Sequence, residues 1–221
     1  KDIITGKKFE TKLWNASKFV FMNLKDYKNK KPAKLEKIDE LFLRKLNSLI
    51  KSVTQGFENY EYSRAKSLTE QFFWNIFCDN YLEIVKKRIY NEKGQKKQSA
   101  QHTLYVSLLT ILKLISPIVP FITEEIYQEY FKKFEKDKSI HLSEWPKYAK
   151  ETRKEDELDL FIEILAKVRQ EKTNNKKAMN TEIVLTIEDK DYKKIAEMLD
   201  DLKDVSNAKE IKKGKFRVEF V

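Results

Sequence analysis

An ammonium, an amide and an aromatic ring recur along one side of a predicted helix near the start of the chain. Lys12, Asn15, Phe19 and Asn23 are spaced three or four residues apart, which brings side chains to one helical face. An ammonium can neutralise a phosphate, an amide can hydrogen-bond a base edge, and a flat ring can stack on an unpaired base. The spacing therefore fits single-stranded nucleic acid, although periodicity alone favours a purely structural face.

The opposite side of this helix is apolar. Phe9, Leu13, Val20 and Leu24 follow the helical period, with small residues between them at positions 16–17. This stripe predicts that the helix packs on a core through one side and leaves the other side free.

The residues needed for catalysis are sparse. The chain has two histidines, His102 and His141, and one cysteine, Cys78. We expect an exposed, incidental imidazole at His102 and a buried, inert thiol at Cys78, which falls in a densely apolar helix. We find no glycine-rich phosphate loop, no paired-carboxylate motif and no zinc-ligand spacing. The sequence predicts a binding module without a catalytic or metal site.

Positive charge is concentrated in the first two thirds of the chain. The net charge is +10, yet residues 151–221 carry 16 Lys and Arg against 17 Asp and Glu, leaving 29 against 18 for residues 1–150. A basic segment that also holds all three tryptophans suggests a polyanionic partner. A lysine-rich codon bias would explain the abundance of lysine but not the neutral second segment. That neutrality predicts a packing or spacing role for residues 151–221.

Four glycines and four prolines in 221 residues favour long helices with few turns. Apolar periodicity predicts an antiparallel bundle of five helices over residues 1–150. The predicted helices cover residues 9–27, 37–59, 63–90, 99–115 and a segment that starts near residue 123.

Residues 151–221 have the pattern of a small α/β domain. A helix over 156–172, a strand over 182–187 and a helix over 191–202 are predicted, followed by strands over 205–211 and 215–221. Lys213–Gly214 between the last two strands indicates a hairpin turn. The predicted fold class is mainly α, with a helix bundle followed by an α/β domain that has a short, antiparallel-containing sheet.

The sequence contains neither a signal peptide nor an apolar run long enough to span a bilayer. We therefore expect a cytoplasmic protein without membrane contact. We also expect it to act as a monomer. Because the sequence opens on Lys1 rather than Met, we also expect a fragment or a processed chain.

Several stretches together carry a family resemblance. They are Lys-Leu-Trp-Asn-Ala-Ser-Lys-Phe at 12–19, Phe-Phe-Trp-Asn-Ile-Phe-Cys-Asp-Asn-Tyr-Leu-Glu at 72–83, Ser-Pro-Ile-Val-Pro-Phe-Ile-Thr-Glu-Glu-Ile-Tyr at 116–127 and Ser-Glu-Trp-Pro at 143–146. In these stretches the chain resembles the anticodon-binding region of valyl-tRNA synthetases. The resemblance spans most of residues 1–150 and, more weakly, the α/β tail.

The resemblance implies a partner and a set of contacts. The family attaches valine to tRNA(Val) using ATP and Mg, with catalytic and editing domains upstream of this region. The fragment itself would then hold no cofactor and would meet the anticodon loop and those upstream domains. The implied RNA-binding residues are Lys7, Lys12, Asn15, Lys18, Phe19, Tyr81, Leu82, Glu83, Lys86, Lys87 and Arg88. Lys7 and Lys18 stand where many relatives have arginine, so phosphate contacts are implied there.

Two alternatives stay open at this point. The same domain occurs in isoleucyl-type synthetases, although the Phe-Cys-Asp-x-Tyr-Leu-Glu run at 77–83 favours the valyl type. A helical protein-interaction scaffold would explain the charge asymmetry as solvation only.

Overall fold

A computed structural model of the protein describes residues 2–150 and 156–221. It is mainly helical and ends in a small α/β part, which confirms the predicted fold class. Residues 151–155 lie outside the described residues, and they include the predicted domain boundary. The division at residue 150 therefore stays a prediction.

The helices of the bundle follow the predicted order. They are α1 (Asp2–Met22), α2 (Lys37–Glu58), α3 (Tyr62–Gln71), a π-helical segment (Phe72–Tyr81), α4 (Leu82–Asn91), α5 (Gln95–Ile115), α6 (Pro120–Ile126), a second π-helical segment (Tyr127–Phe131) and a 3₁₀ turn (Ile140–Leu142).

The helix predicted over residues 63–90 is continuous, but its middle third is π-helical. The Leu82 amide donates to the carbonyl of Phe77, five residues back, and the Asn80 side chain donates to the Asn75 carbonyl at 2.6 Å. Helix α1 begins earlier than predicted and ends at Met22, where the Asn23 side chain donates to the Phe19 carbonyl at 2.8 Å. This bond satisfies one of the carbonyls that a helix end leaves free.

The predicted apolar side of α1 faces the core. Phe9, Leu13, Val20 and Leu24 are all buried, and Ser17 is buried with its hydroxyl donating to the Leu13 carbonyl. The bundle core is aromatic, with stacked or edge-on rings linking the helices. Examples are Phe42–Tyr81 at 3.9 Å between ring centroids, Phe21–Tyr130 at 4.5 Å and Phe9–Phe73 at 5.4 Å.

The second unit consists of four helical pieces and three strands. They are α7 (Asp156–Asn174), β1 (Ile183–Ile187), α8 (Asp189–Lys194), a 3₁₀ turn (Ala196–Met198), α9 (Leu199–Ser206), β2 (Ala208–Lys213) and β3 (Arg217–Phe220). Strand β1 lies in the middle of the sheet, parallel to β2 and antiparallel to β3.

The predicted hairpin between the last two strands is wrong. Strand β1 separates β2 from β3, because its buried Ile183, Leu185 and Ile187 make it the apolar centre of the sheet. The connection crosses the end of β1 instead, and the Gly214 amide donates to the Ile187 carbonyl at 2.8 Å. Gly214 has φ +152°, and a Cβ there would lie 3.1 Å from Thr186 Cγ2. Glycine fits this crossing as well as a hairpin turn, so its presence did not distinguish them.

A buried ionic network joins the bundle to the second unit. Arg88 on α4 binds both carboxylate oxygens of Asp39 on α2, at 2.8 and 2.9 Å, and its Nε lies 2.9 Å from Asp201 Oδ1 on α9. Tyr81 donates to Asp39 at 2.7 Å, and Ser99 on α5 donates to it at 2.5 Å. The network therefore ties four helices and the π-helical segment together.

Candidate nucleic-acid interface

The outer face of α1 presents Lys12, Asn15 and Phe19, which spacing had grouped, together with Lys7 and Lys18, which the family resemblance implied. Lys7, Asn15 and Lys18 are exposed, and Lys12 and Phe19 are half-buried. The amide of Asn23, predicted on the same line, is used within α1 and is not presented to a partner. Spacing thus placed Lys12, Asn15 and Phe19 on one outer face of α1, of which only Asn15 is fully exposed.

Two cation–aromatic pairs link α1 to the long helix beside it. Lys12 Nζ lies 5.3 Å from the centroid of the Trp74 ring, and Lys86 Nζ lies 5.8 Å from the centroid of the Phe19 ring. Both separations are within the range in which a ring face attracts a cation. The structure therefore brings Phe19 and Lys86 together, although they are far apart in sequence.

The outer side of α4 carries three more of the predicted residues. Glu83 accepts from Lys86 at 2.6 Å, and Lys87 lies 3.2 Å from Asp204 of α9. The side chains of both pairs, with Asp204 included, are about a third exposed or more. Exposed pairs of this kind contribute only about 0–1 kcal/mol, so a phosphate can compete for the lysines at little cost.

Burial contradicts the prediction for Tyr81, Leu82 and Arg88. Their side chains lie on the inner side of the helix, with 1%, 7% and 4% of their surface exposed. Tyr81 and Arg88 bind Asp39, and burial together with that carboxylate raises the pKa of Tyr81 well above its usual value. They hold the core together behind the surface, so they do not meet a ligand on it.

The two units enclose a cleft of about 550 Å³, which we call the interunit cleft. Its bundle side is formed by Lys12, Cys78, Asp79, Glu83, Lys86 and Lys87. Its opposite side comes from the second unit and is formed by Leu165, Val168, Arg169, Lys172, Met179, Asn180, Asp204, Val205, Ser206 and Asn207. No local sequence pattern predicts this cleft, because it forms where α7 packs against α2 and Arg169 reaches Asn80 of the first π-helical segment.

The cysteine is buried as predicted, and the histidines lie outside the interunit cleft. Burial raises the pKa of the Cys78 thiol to about 12, which makes the thiolate scarce at neutral pH. The expectation of an exposed His102 is wrong, because it is half-buried and its Nδ1 lies 2.9 Å from the Tyr27 hydroxyl. Burial lowers the pKa of His102. His141 is exposed and lies 3.3 Å from the Pro120 carbonyl.

Residues 2–150 and 156–221 show neither a metal site nor a membrane-spanning helix. Neither part of the chain contains a group of three or more His, Cys, Asp or Glu side chains placed to hold a metal ion. The helices of these same residues include none with the length and hydropathy required to cross a membrane.

Comparison with known proteins gives a consistent result. A family described as the anticodon-binding domain of tRNA ligase matches residues 39–188. The valine–tRNA ligase of Rickettsia felis is 41% identical over 93% of the chain, and that of Ehrlichia canis is 40% identical over 92%. The chain covers 25% and 26% of those proteins, so it spans about a quarter of the length of the curated relatives it matches.

Proposed function

Because the chain belongs to the anticodon-binding domain family of tRNA ligases, we propose that it binds the anticodon loop of a tRNA as part of a valine–tRNA ligase. The relatives that match over nine tenths of the chain are valine–tRNA ligases, which supports tRNA(Val) as the partner. The family match extends from the bundle into the second unit, so both units belong to the proposed RNA-binding part.

The observation that carries the proposal is the pairing of Phe19 with Lys86. The half-buried Phe19 ring packs against the core, and the Lys86 ammonium lies 5.8 Å from its centroid. The ring can stack on a nucleotide base while the ammonium neutralises the phosphate of that nucleotide. Lys12 beside Trp74 repeats this combination on the same side of α1. A scaffold for protein partners has no need for two such pairs on a face with excess positive charge.

Each remaining surface residue has a role suited to its chemistry. Lys7, Lys18 and Lys87 neutralise phosphates, since an ammonium acts as a point charge and lacks the fork of a guanidinium. The exposed Asn15 amide is free to hydrogen-bond a base edge. Glu83 orients Lys86 in the absence of RNA.

The parent enzyme would attach valine to tRNA(Val) at the expense of ATP. We propose that ATP and Mg²⁺ act in the catalytic part and that proofreading takes place in the editing part, both outside these residues. The chain itself would hold no cofactor, and the parent would work as a cytoplasmic monomer. Pure chain should consequently show no ATP–pyrophosphate exchange, and exchange at the rate of a whole ligase would contradict this division of labour.

Binding to a tRNA(Val) transcript and to the same transcript with an altered anticodon tests the proposal. We expect weaker binding of the altered transcript, and a loss of about 1–3 kcal/mol for Phe19→Ala with the unaltered one. Phe121→Ala is the matched control, because Phe121 is 89% exposed and lies on α6, outside the cleft. Equal binding of both transcripts would sink the anticodon assignment.

A further inference from the structure

Arg169 of the second unit carries its charge in a half-buried position. It lies half-buried on α7, lines the interunit cleft and donates from Nη1 to Asn80 Oδ1 at 3.0 Å. Among the residues that the structure describes, it forms an ion pair with no carboxylate. Burial lowers the pKa of the guanidinium, and the more distant Glu83 and Asp79 oppose this only in part.

The other cations of the interunit cleft are engaged to different degrees. Lys172 is fully occupied, because its ammonium donates to the carbonyls of Met179, Thr181 and Ser206 at 2.7–2.8 Å. Lys12, in contrast, has a ring and no carboxylate as its neighbour within the described chain. Lys12 and Arg169 therefore face one space from two units, and among the described residues neither forms an ion pair with a carboxylate.

The charge of the cleft lining favours an anion. Its described residues include the basic Lys12, Lys86, Lys87, Arg169 and Lys172 and the acidic Asp79, Glu83 and Asp204. Removing a cation from water without an ion-pair partner costs free energy, and an anion that binds in the cleft offsets this cost. A guanidinium also offers a fork of donors that matches two phosphate oxygens.

We propose that the interunit cleft receives a phosphate of the bound tRNA, clamped between Arg169 of the second unit and Lys12 of the bundle. A cleft of about 550 Å³ is of a size that holds small ligands, so one nucleotide can enter it. The neutral second unit then forms one wall of the RNA site, beyond the packing or spacing role its charge suggests. This inference rests on the proposed RNA-binding function.

The test measures the dissociation constant of the whole chain for a tRNA(Val) transcript over a range of salt concentrations. We expect Arg169→Gln to weaken binding about tenfold and to lower the slope of log K against log[salt] by about 0.7–0.9, the value for one lost phosphate contact. Arg169→Lys should keep the slope and recover part of the affinity, because the charge remains but the fork is lost. The matched control is Lys167→Gln, which removes a charge from the same helix outside the cleft.

A gain-of-affinity variant keeps the test decisive if Arg169→Gln fails to fold. Asp79 is exposed and lines the cleft. The Asp79→Asn substitution makes the net charge of the cleft one unit more positive. We expect Asp79→Asn to bind the transcript about two- to fivefold more tightly, and Glu163→Gln on the outer side of α7 to leave binding unchanged.

The outcomes separate this inference from the function on which it rests. If the unaltered chain binds no tRNA, the proposed function fails. If it binds tRNA and Arg169→Gln and Asp79→Asn both bind with unaltered affinity and salt slope, the function stands and the interunit cleft is not a phosphate site. An equal loss in Arg169→Gln and Arg169→Lys, with an unchanged slope in both, would assign Arg169 a packing role and overturn the clamp.

Discussion

The two sides of helix α4 each carry an ion pair between a basic and an acidic residue, and the two pairs serve opposite purposes. On the inner side, Arg88 and Asp39 form an ion pair whose side chains are 5% and 0% exposed. On the outer side, Lys86 and Glu83 form a pair at a similar distance whose side chains are 39% and 44% exposed. A buried charge depends on its partner, whereas an exposed one exchanges its partner readily. The inner pair therefore fixes the fold, and the outer pair is free to serve a ligand.

Removing the inner carboxylate should give the largest effect. Asp39→Ala leaves Arg88 buried without its bidentate partner and frees the hydroxyls of Tyr81 and Ser99. We expect a loss of about 3–5 kcal/mol in the free energy of unfolding, measured by urea denaturation. Asp204→Ala is the control, since it breaks only the exposed pair with Lys87, and it should cost less than about 1 kcal/mol. Similar losses in both variants would contradict the contrast between the two sides.

The second prediction concerns Asp201, the other acid near Arg88. Burial raises its pKa to about 7 although Arg88 opposes the shift. Between about pH 4 and pH 7 the unfolded chain releases this proton while the folded chain keeps it, so this group makes folding less favourable as pH rises. Above pH 7 both states are ionised, and the penalty is complete.

The Asp201→Asn variant isolates the pH dependence that Asp201 causes. His102 has the opposite effect, because its lowered pKa makes folding less favourable as the pH falls below the pKa of the imidazole in the unfolded chain. We expect the free energy of unfolding of the variant, minus that of the original chain, to increase by about 2–4 kcal/mol from pH 4 to pH 7. Urea melts at four or five pH values measure it. A difference that stays flat over this range would show that Arg88 keeps Asp201 ionised.

Helical periodicity predicted most of the fold, and the failures have physical causes. The apolar stripe predicted that α2 begins near Lys37 and ends around residues 59–62, and the helix spans Lys37–Glu58. The strand order was predicted wrongly. Lys213–Gly214 indicates only that the chain turns after β2, whereas the burial of β1 places that strand between β2 and β3. Long-range packing of this kind leaves no trace in local spacing.

The candidate site was only partly predictable for a related reason. Spacing placed Lys12 and Phe19 on one helical face, which the structure shows half-buried, while their proposed role in binding RNA came from the family resemblance. Arg88 was misplaced because a run of basic residues was taken as a surface, although it falls four residues after Ile84 and three after Val85, both buried. Its helical phase was the available signal. Arg169 had no such signal, since its neighbours in the interunit cleft come from α1, the first π-helical segment and α4.

The smallest expected change in unfolding free energy comes from removing the outer ion pair, and it tests the contrast between the two sides of α4 most directly. Lys86→Gln removes an exposed ion pair with Glu83 and a cation near Phe19, so the free energy of unfolding should change by less than about 1 kcal/mol. The affinity for a tRNA(Val) transcript should nevertheless fall, with a salt slope smaller by about 0.7–0.9, since one phosphate contact is lost. Lys66→Gln, which breaks another exposed pair on α3, controls for net charge and should leave the slope unchanged. If Lys86→Gln destabilised the fold as much as Asp39→Ala, the outer side of α4 would be structural, and its role in binding RNA would have to be abandoned.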